Sequence, residues 1–150
     1  MKSTSALLAC VALAMTACSS STGDEIDTSR ISPATEHSTS RWSIDGEYTE
    51  LNGDLVDAHA ITYTDATVAA DNNAQIKVTF MAADPTCTGY LATAKETSDK
   101  VTITLYEGAL ADAEGATCDP MSANAEMYVE LDKPLDKREV IDGAKEGPRT

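Results

Sequence analysis

Three short stretches alternate strictly between apolar and polar residues: Ile76-Lys77-Val78-Thr79-Phe80, Val101-Thr102-Ile103-Thr104-Leu105 and Met127-Tyr128-Val129-Glu130-Leu131. A period of two puts successive side chains on opposite sides of an extended chain, so each stretch predicts a strand with one apolar and one polar face. Residues 90–94 read as the antiparallel partner of residues 101–105, joined through the polar run 95–100 as a hairpin loop. Weaker strand patterns lie at 41–44, 60–63 and 138–141. No long segment has helical periodicity, and 108–115 is the one place where a short helical turn is expected. The expected fold class is all-β: a small antiparallel sheet or compact sandwich of about six or seven strands.

All seven aromatic residues fall between Trp42 and Tyr128, so the globular unit is expected to cover 41–150. Immediately before it, residues 19–40 hold eleven Ser or Thr among 22 positions, one Pro, and only Ile26 and Ile31 as large aliphatics. Such a segment cannot bury enough apolar surface to offset its ordering entropy, which predicts a flexible tether. A coil of this length reaches roughly 25 Å on average and about 75 Å at full extension.

The first seventeen residues have the layout of an export signal: Lys2, then the apolar run Ala6-Leu7-Leu8-Ala9-Cys10-Val11-Ala12-Leu13-Ala14. Counted through to Cys18, the segment is about 20 Å long as a helix, against roughly 30 Å of hydrocarbon, too short to span a bilayer. Its end, Leu13-Ala14-Met15-Thr16-Ala17-Cys18, resembles the lipobox of bacterial lipoproteins, with Met15 where Leu is usual. That resemblance implies cleavage before Cys18 and acylation of its sulfur. Leu7-Leu8-Ala9-Cys10 also fits, but cleavage there would strand an apolar stretch downstream. The implied location is a cell membrane, lipid-anchored and facing away from the cytoplasm. The first partner is then the lipid bilayer, held by two acyl chains without help from charge.

Once residues 1–17 are removed, 10 Lys/Arg stand against 25 Asp/Glu, a formal net charge of −15. Nucleic acid and direct adhesion to anionic lipid both need basic patches, so both are disfavoured. Of the four cysteines, Cys10 leaves with the signal and Cys18 takes lipid. Cys87 and Cys118 remain, and in an oxidising compartment an isolated pair predicts one disulfide. It would close a loop of 31 residues, worth on the order of 3 to 4 kcal/mol through chain entropy.

The run from Cys87 through Cys118 to Met127-Tyr128-Val129-Glu130-Leu131-Asp132-Lys133-Pro134-Leu135-Asp136-Lys137-Arg138-Glu139-Val140-Ile141-Asp142-Gly143 resembles a pattern in small secreted and lipid-anchored proteins of Gram-positive, especially actinobacterial, bacteria. In that pattern a strand enters a Pro-Leu-x-x-Arg turn and a short final strand ends in Asp-Gly. The resemblance covers roughly residues 85–145 and brings no biochemical activity with it. Gly usually follows the Leu, whereas Asp136 stands there in this chain. Pro134 should end the strand because it lacks a ladder donor, and Leu135 should cap the core. Arg138, among Asp132, Asp136, Glu139 and Asp142, is expected to fork onto a carboxylate or onto backbone carbonyls as a structural staple, with contact to an anionic ligand as the alternative.

Chemistry-bearing constellations are scarce. His37 falls in the tether and His59 in a stretch of small residues, so a multi-imidazole metal site is not available and His59 is expected at or near the surface. No Gly-x-Ser-x-Gly elbow, phosphate-cradling loop or dinucleotide fingerprint occurs. Two acidic clusters, Asp45/Glu47/Glu50/Asp54/Asp57 and Asp112/Glu114/Asp119, lack EF-hand spacing and read as solvated faces. No catalytic residue, metal site or cofactor is therefore expected. The function expected is a surface-displayed binding module that presents loops such as 107–124 to an envelope protein or polymer. A structural or accessory envelope lipoprotein, including a cation-buffering one, comes second, and a small secreted hydrolase third.

Overall fold

The computed structural model describes residues 30–31 and 38–146. The expected signal, Cys10, Cys18, His37 and most of the expected tether lie outside the described residues. Eleven strands follow one another: β1 (Arg30–Ile31), β2 (Ser38–Thr39), β3 (Arg41–Ile44), β4 (Glu47–Glu50), β5 (Leu55–Ile61), β6 (Asp65–Ala69), β7 (Asn72–Ala82), β8 (Thr88–Glu96), β9 (Lys100–Leu110), β10 (Ala123–Glu130) and β11 (Glu139–Asp142). They build a six-stranded sheet, β1-β5-β9-β8-β2 with β11 also on β9, and a five-stranded sheet, β4-β3-β10-β7-β6. The architecture is all-β and sandwich-like.

The three alternating stretches lie in β7, β9 and β10, and alternation decides their orientation. Ile76, Val78, Phe80, Val101, Ile103, Leu105, Met127 and Val129 are fully buried. Burying each contributes about 1.5–3 kcal/mol relative to leaving it in water. Antiparallel pairing of β8 with β9 runs from Thr88↔Ala109 to Glu96↔Val101. The hairpin loop is therefore tighter than 95–100. Only residues 97–99 lie between the strands, and Thr97 N donates to Lys100 O at 2.9 Å.

Several expectations need correction. Strands outnumber the expected six or seven because β1, β2, β3, β4 and β11 are four residues or shorter. The sheet is not wholly antiparallel: β11 returns beside β9 in parallel register, Val140↔Val101. No helical turn interrupts β9, which continues to Leu110. Gly108 there lies so close under β5 that a Cβ would stand 3.0 Å from Leu55 Cβ and from Val56 O, a tight backbone approach that glycine accommodates without displacement. Finally, ordered chain begins before residue 41. Arg30–Ile31 pairs with β5 and Ser38–Thr39 with β8, because a sheet edge accepts any extended backbone whatever its side chains.

The two sheets meet through aromatic rings. Tyr90 of β8 packs edge-on against Trp42 of β3, centroids 5.4 Å apart, and tilted against Phe80 of β7 at 4.8 Å. Such contacts add about 0.5–1.5 kcal/mol beyond buried area. The Tyr90 hydroxyl accepts from Ala83 N at 2.7 Å and donates to Glu107 Oε2 at 3.0 Å, so the buried ring has partners for its polar end. Burial, reinforced by the Glu107 carboxylate, pushes its phenol well above the ordinary range.

The expected disulfide forms between Cys87 and Cys118, Cα atoms 5.9 Å apart. Asp84 serves both ends of it. Its buried carboxylate accepts from Thr86 N at 2.8 Å and from Asp119 N at 2.6 Å, while its carbonyl accepts from Thr88 N at 2.9 Å. These backbone donors hold the Asp84 carboxyl below the usual carboxylate range.

Candidate functional site

Arg138 behaves as a staple. Its Nη1 donates to Glu96 Oε2 at 2.5 Å, and its Nη2 donates to Lys133 O at 2.7 Å and to Pro134 O at 2.8 Å. Glu96 Oε1 in turn accepts from Asp132 N at 2.6 Å. Burial alone would raise the Glu96 carboxyl, but the hydrogen bonds and charge of Arg138, with backbone donors from Asp132 and Lys133, more than offset that and hold it low. Asp136 takes a φ of 50°, the left-handed conformation that Gly adopts most readily and that Asp tolerates. Leu135 packs against the core. An open groove of about 980 Å³ lies over this turn, yet the guanidinium at its side is already engaged by Glu96 and two carbonyls.

His59 is exposed, its Nε2 3.9 Å from Glu107 Oε1, while the other Glu107 oxygen is bound to Tyr90. Among the described residues, no three His, Cys, Asp or Glu side chains converge so as to hold a metal ion. No helix there is long and apolar enough to cross a membrane. Only the ends of the 107–124 stretch expected as a presented loop are strand, 107–110 in β9 and 123–124 in β10. The exposed remainder is anchored by the disulfide and Asp84.

A second groove, of about 590 Å³, crosses the outward face of the five-stranded sheet. Pairing explains its residues. Trp42 lies opposite both Met127 of β10 and Thr49 of β4, and both Trp42 and Met127 point inward. Their neighbours Arg41 and Tyr128 therefore face outward. Tyr48 pairs with Ser43, which places it diagonal to Arg41, and the Arg41 guanidinium carbon sits 4.3 Å from the centre of the Tyr48 ring. One face of that ring is covered by Arg41, yet Tyr48 remains 58% exposed. Glu130 and Gln75 are paired across β10 and β7, and the Gln75 amide donates to the Glu130 carboxylate. Ser38 and Thr39 of β2 form the remaining wall, where the chain passes from one sheet to the other through Ser40.

The sequence reading did not single out Arg41, Tyr48, Gln75 or Tyr128 as a site. They are scattered over 88 positions, and only strand register brings them together. Comparison with known proteins finds no matching family model, no matching curated protein and no matching solved structure. The arrangement must be read from its own geometry. It combines an exposed ring on β4, a second ring two strands away on β10, a guanidinium on the strand between them, an amide and a carboxylate.

Proposed function

We propose that this chain is a cell-envelope lipoprotein, anchored through Cys18, that displays a non-enzymatic binding module whose contact surface is the outward face of the five-stranded sheet. The observation that carries the reading is Tyr48, an aromatic ring more than half exposed and held in place by Arg41. Exposed rings on rigid scaffolds supply contact area at little entropic cost, because the ring is already positioned. In the other groove, the Arg138 and Glu96 side chains are spent on each other and on backbone groups. The Cys87–Cys118 disulfide fits an oxidising, extracytoplasmic setting. A net charge of −15 after leader removal turns the module away from nucleic acid and from anionic lipid headgroups.

The test is crosslinking in the native cells with three forms of the chain: unaltered, Cys18→Ala and Tyr48→Ala. The unaltered chain is expected in the membrane fraction with a discrete envelope component attached. Cys18→Ala should leave the membrane, and Tyr48→Ala should stay there but lose the component. Membrane retention of Cys18→Ala would remove the anchor from the proposal, and unchanged capture by Tyr48→Ala would remove the site.

A further inference from the structure

The chemistry of the groove selects among ligand classes. A peptide adding as an extra strand would pair along the outer edge of β4, beside the groove and not in it, because β3, β10 and β7 of the groove floor are each paired on both sides. A protein partner needs a continuous apolar area with several buried anchors. Tyr48, Val68, Met81 and Met121 are the exposed large hydrophobics among the described residues, and of these only Tyr48 lines the groove. A polyanion meets a strongly acidic chain, and at the groove itself the single guanidinium of Arg41 is matched by the carboxylate of Glu130.

Resting on the binding-module reading above, we infer that the groove binds an uncharged glycan, with a sugar ring laid against the open face of Tyr48. Sugar rings have an apolar C–H face and an equatorial rim of hydroxyls. The tyrosine ring meets the first. The second meets donors and acceptors in turn: the Arg41 guanidinium donates, the Glu130 carboxylate accepts, and the Gln75 amide carries one group of each kind. Gln75 and Glu130 bond each other across β7 and β10, which places an amide and a carboxylate side by side on the groove floor. The groove runs across the strands and is open, so a polymer can enter from its side without threading an end.

The experiment titrates the detergent-solubilised lipidated chain, labelled with nitrogen-15, with cello-, malto-, chito- and manno-oligosaccharides at millimolar concentration and with polygalacturonate as polyanion. At least one uncharged oligosaccharide is expected to give saturable amide shifts centred on Tyr48, Gln75 and Tyr128. Tyr48→Ala should weaken that binding roughly tenfold, the scale of one lost aromatic contact, while Tyr48→Phe stays within about twofold. Near-ultraviolet circular dichroism of buried Trp42 checks that each variant is folded. Shifts from the polyanion alone, no shifts from any saccharide, or equal affinity in Tyr48→Ala would overturn the inference. If no saccharide binds while crosslinking in cells still captures a Tyr48-dependent protein, the glycan assignment falls and the binding module stands. If both experiments fail, both fall.

Discussion

Arg138 and Glu96, 42 residues apart in sequence, meet at 2.5 Å with both side chains largely shielded from water. The pair fastens the turn after β10 to the end of the β8–β9 hairpin, and β11 follows directly from it into parallel register with β9. Removing one partner strands the other. Arg138→Ala is therefore expected to destabilise the domain by roughly 3 kcal/mol, since an unpaired buried carboxylate keeps its desolvation cost. Glu96→Gln, which retains an acceptor for Asp132 N, should cost less. Urea unfolding followed by circular dichroism measures both, and equal losses would show that charge is not what matters at this position.

Acid should weaken the same structure in a definite direction. Glu96 and Asp84 both have carboxyls held below their ordinary range when folded. Their contribution is complete above the unfolded carboxylate pKa of about 4 and is lost as pH falls through the lower folded values. Unfolding free energy is expected to be nearly flat above about pH 5 and to fall below it. Arg138→Ala and Asp84→Asn should each flatten that fall. Denaturation midpoints collected from neutral to strongly acid pH will show whether they do.

Reduction of Cys87–Cys118 should loosen residues 111–122, leaving Asp119 N on Asp84 as a remaining tie, without unfolding the sheets, because neither cysteine lies within a strand. The expected loss of stability is about 3–4 kcal/mol for a loop of this length. Hydrogen exchange should speed up in 111–122 far more than in β9 or β10. Uniform acceleration across the core would mean that the disulfide holds the sandwich itself.

A side chain at Gly89 would have to displace leucine side chains of the core. A Cβ there would stand 2.6 Å from Leu55 Cδ2 and 2.7 Å from Leu110 Cδ2. Gly89→Ala is expected to cost about 1–3 kcal/mol by overpacking. Adding Leu55→Val should recover part of the loss by shortening the side chain it strikes. Thermal midpoints of the single and double variants decide the matter.

Much of the fold was legible because burial writes a period of two into interior strands. Residues 76–80, 101–105 and 127–131 show it, and 41–44 coincides with β3. Edge strands carry no such imprint. Glu47–Glu50 is exposed along most of its length and so reads as polar loop, although Asp45-Gly46, with φ of 51° and 85°, is a strong two-residue hairpin signal. β6 at the opposite edge escaped for the same reason. The staple was legible at Arg138, whose neighbouring acids and Pro134 promised a fork onto carboxylate and carbonyl. Its partner was not, since Glu96 lies on a strand brought alongside only by the return of β11. The Tyr48 groove was illegible for both reasons together, being built on an edge strand and assembled by register.

β1 has a consequence for distance. Arg30 pairs with Val56 and its guanidinium lies 3.2 Å from Asp54, so among the described residues the chain is already fastened to the domain at residue 30. With the proposed lipid on Cys18, only eleven residues separate membrane and domain, a maximum span of about 40 Å. That is little more than half of what the Ser/Thr-rich run would allow if it were free to residue 40. On the proposed anchoring, the domain would be confined to a thin layer beside the bilayer, and whatever it binds would have to come within that layer to be met.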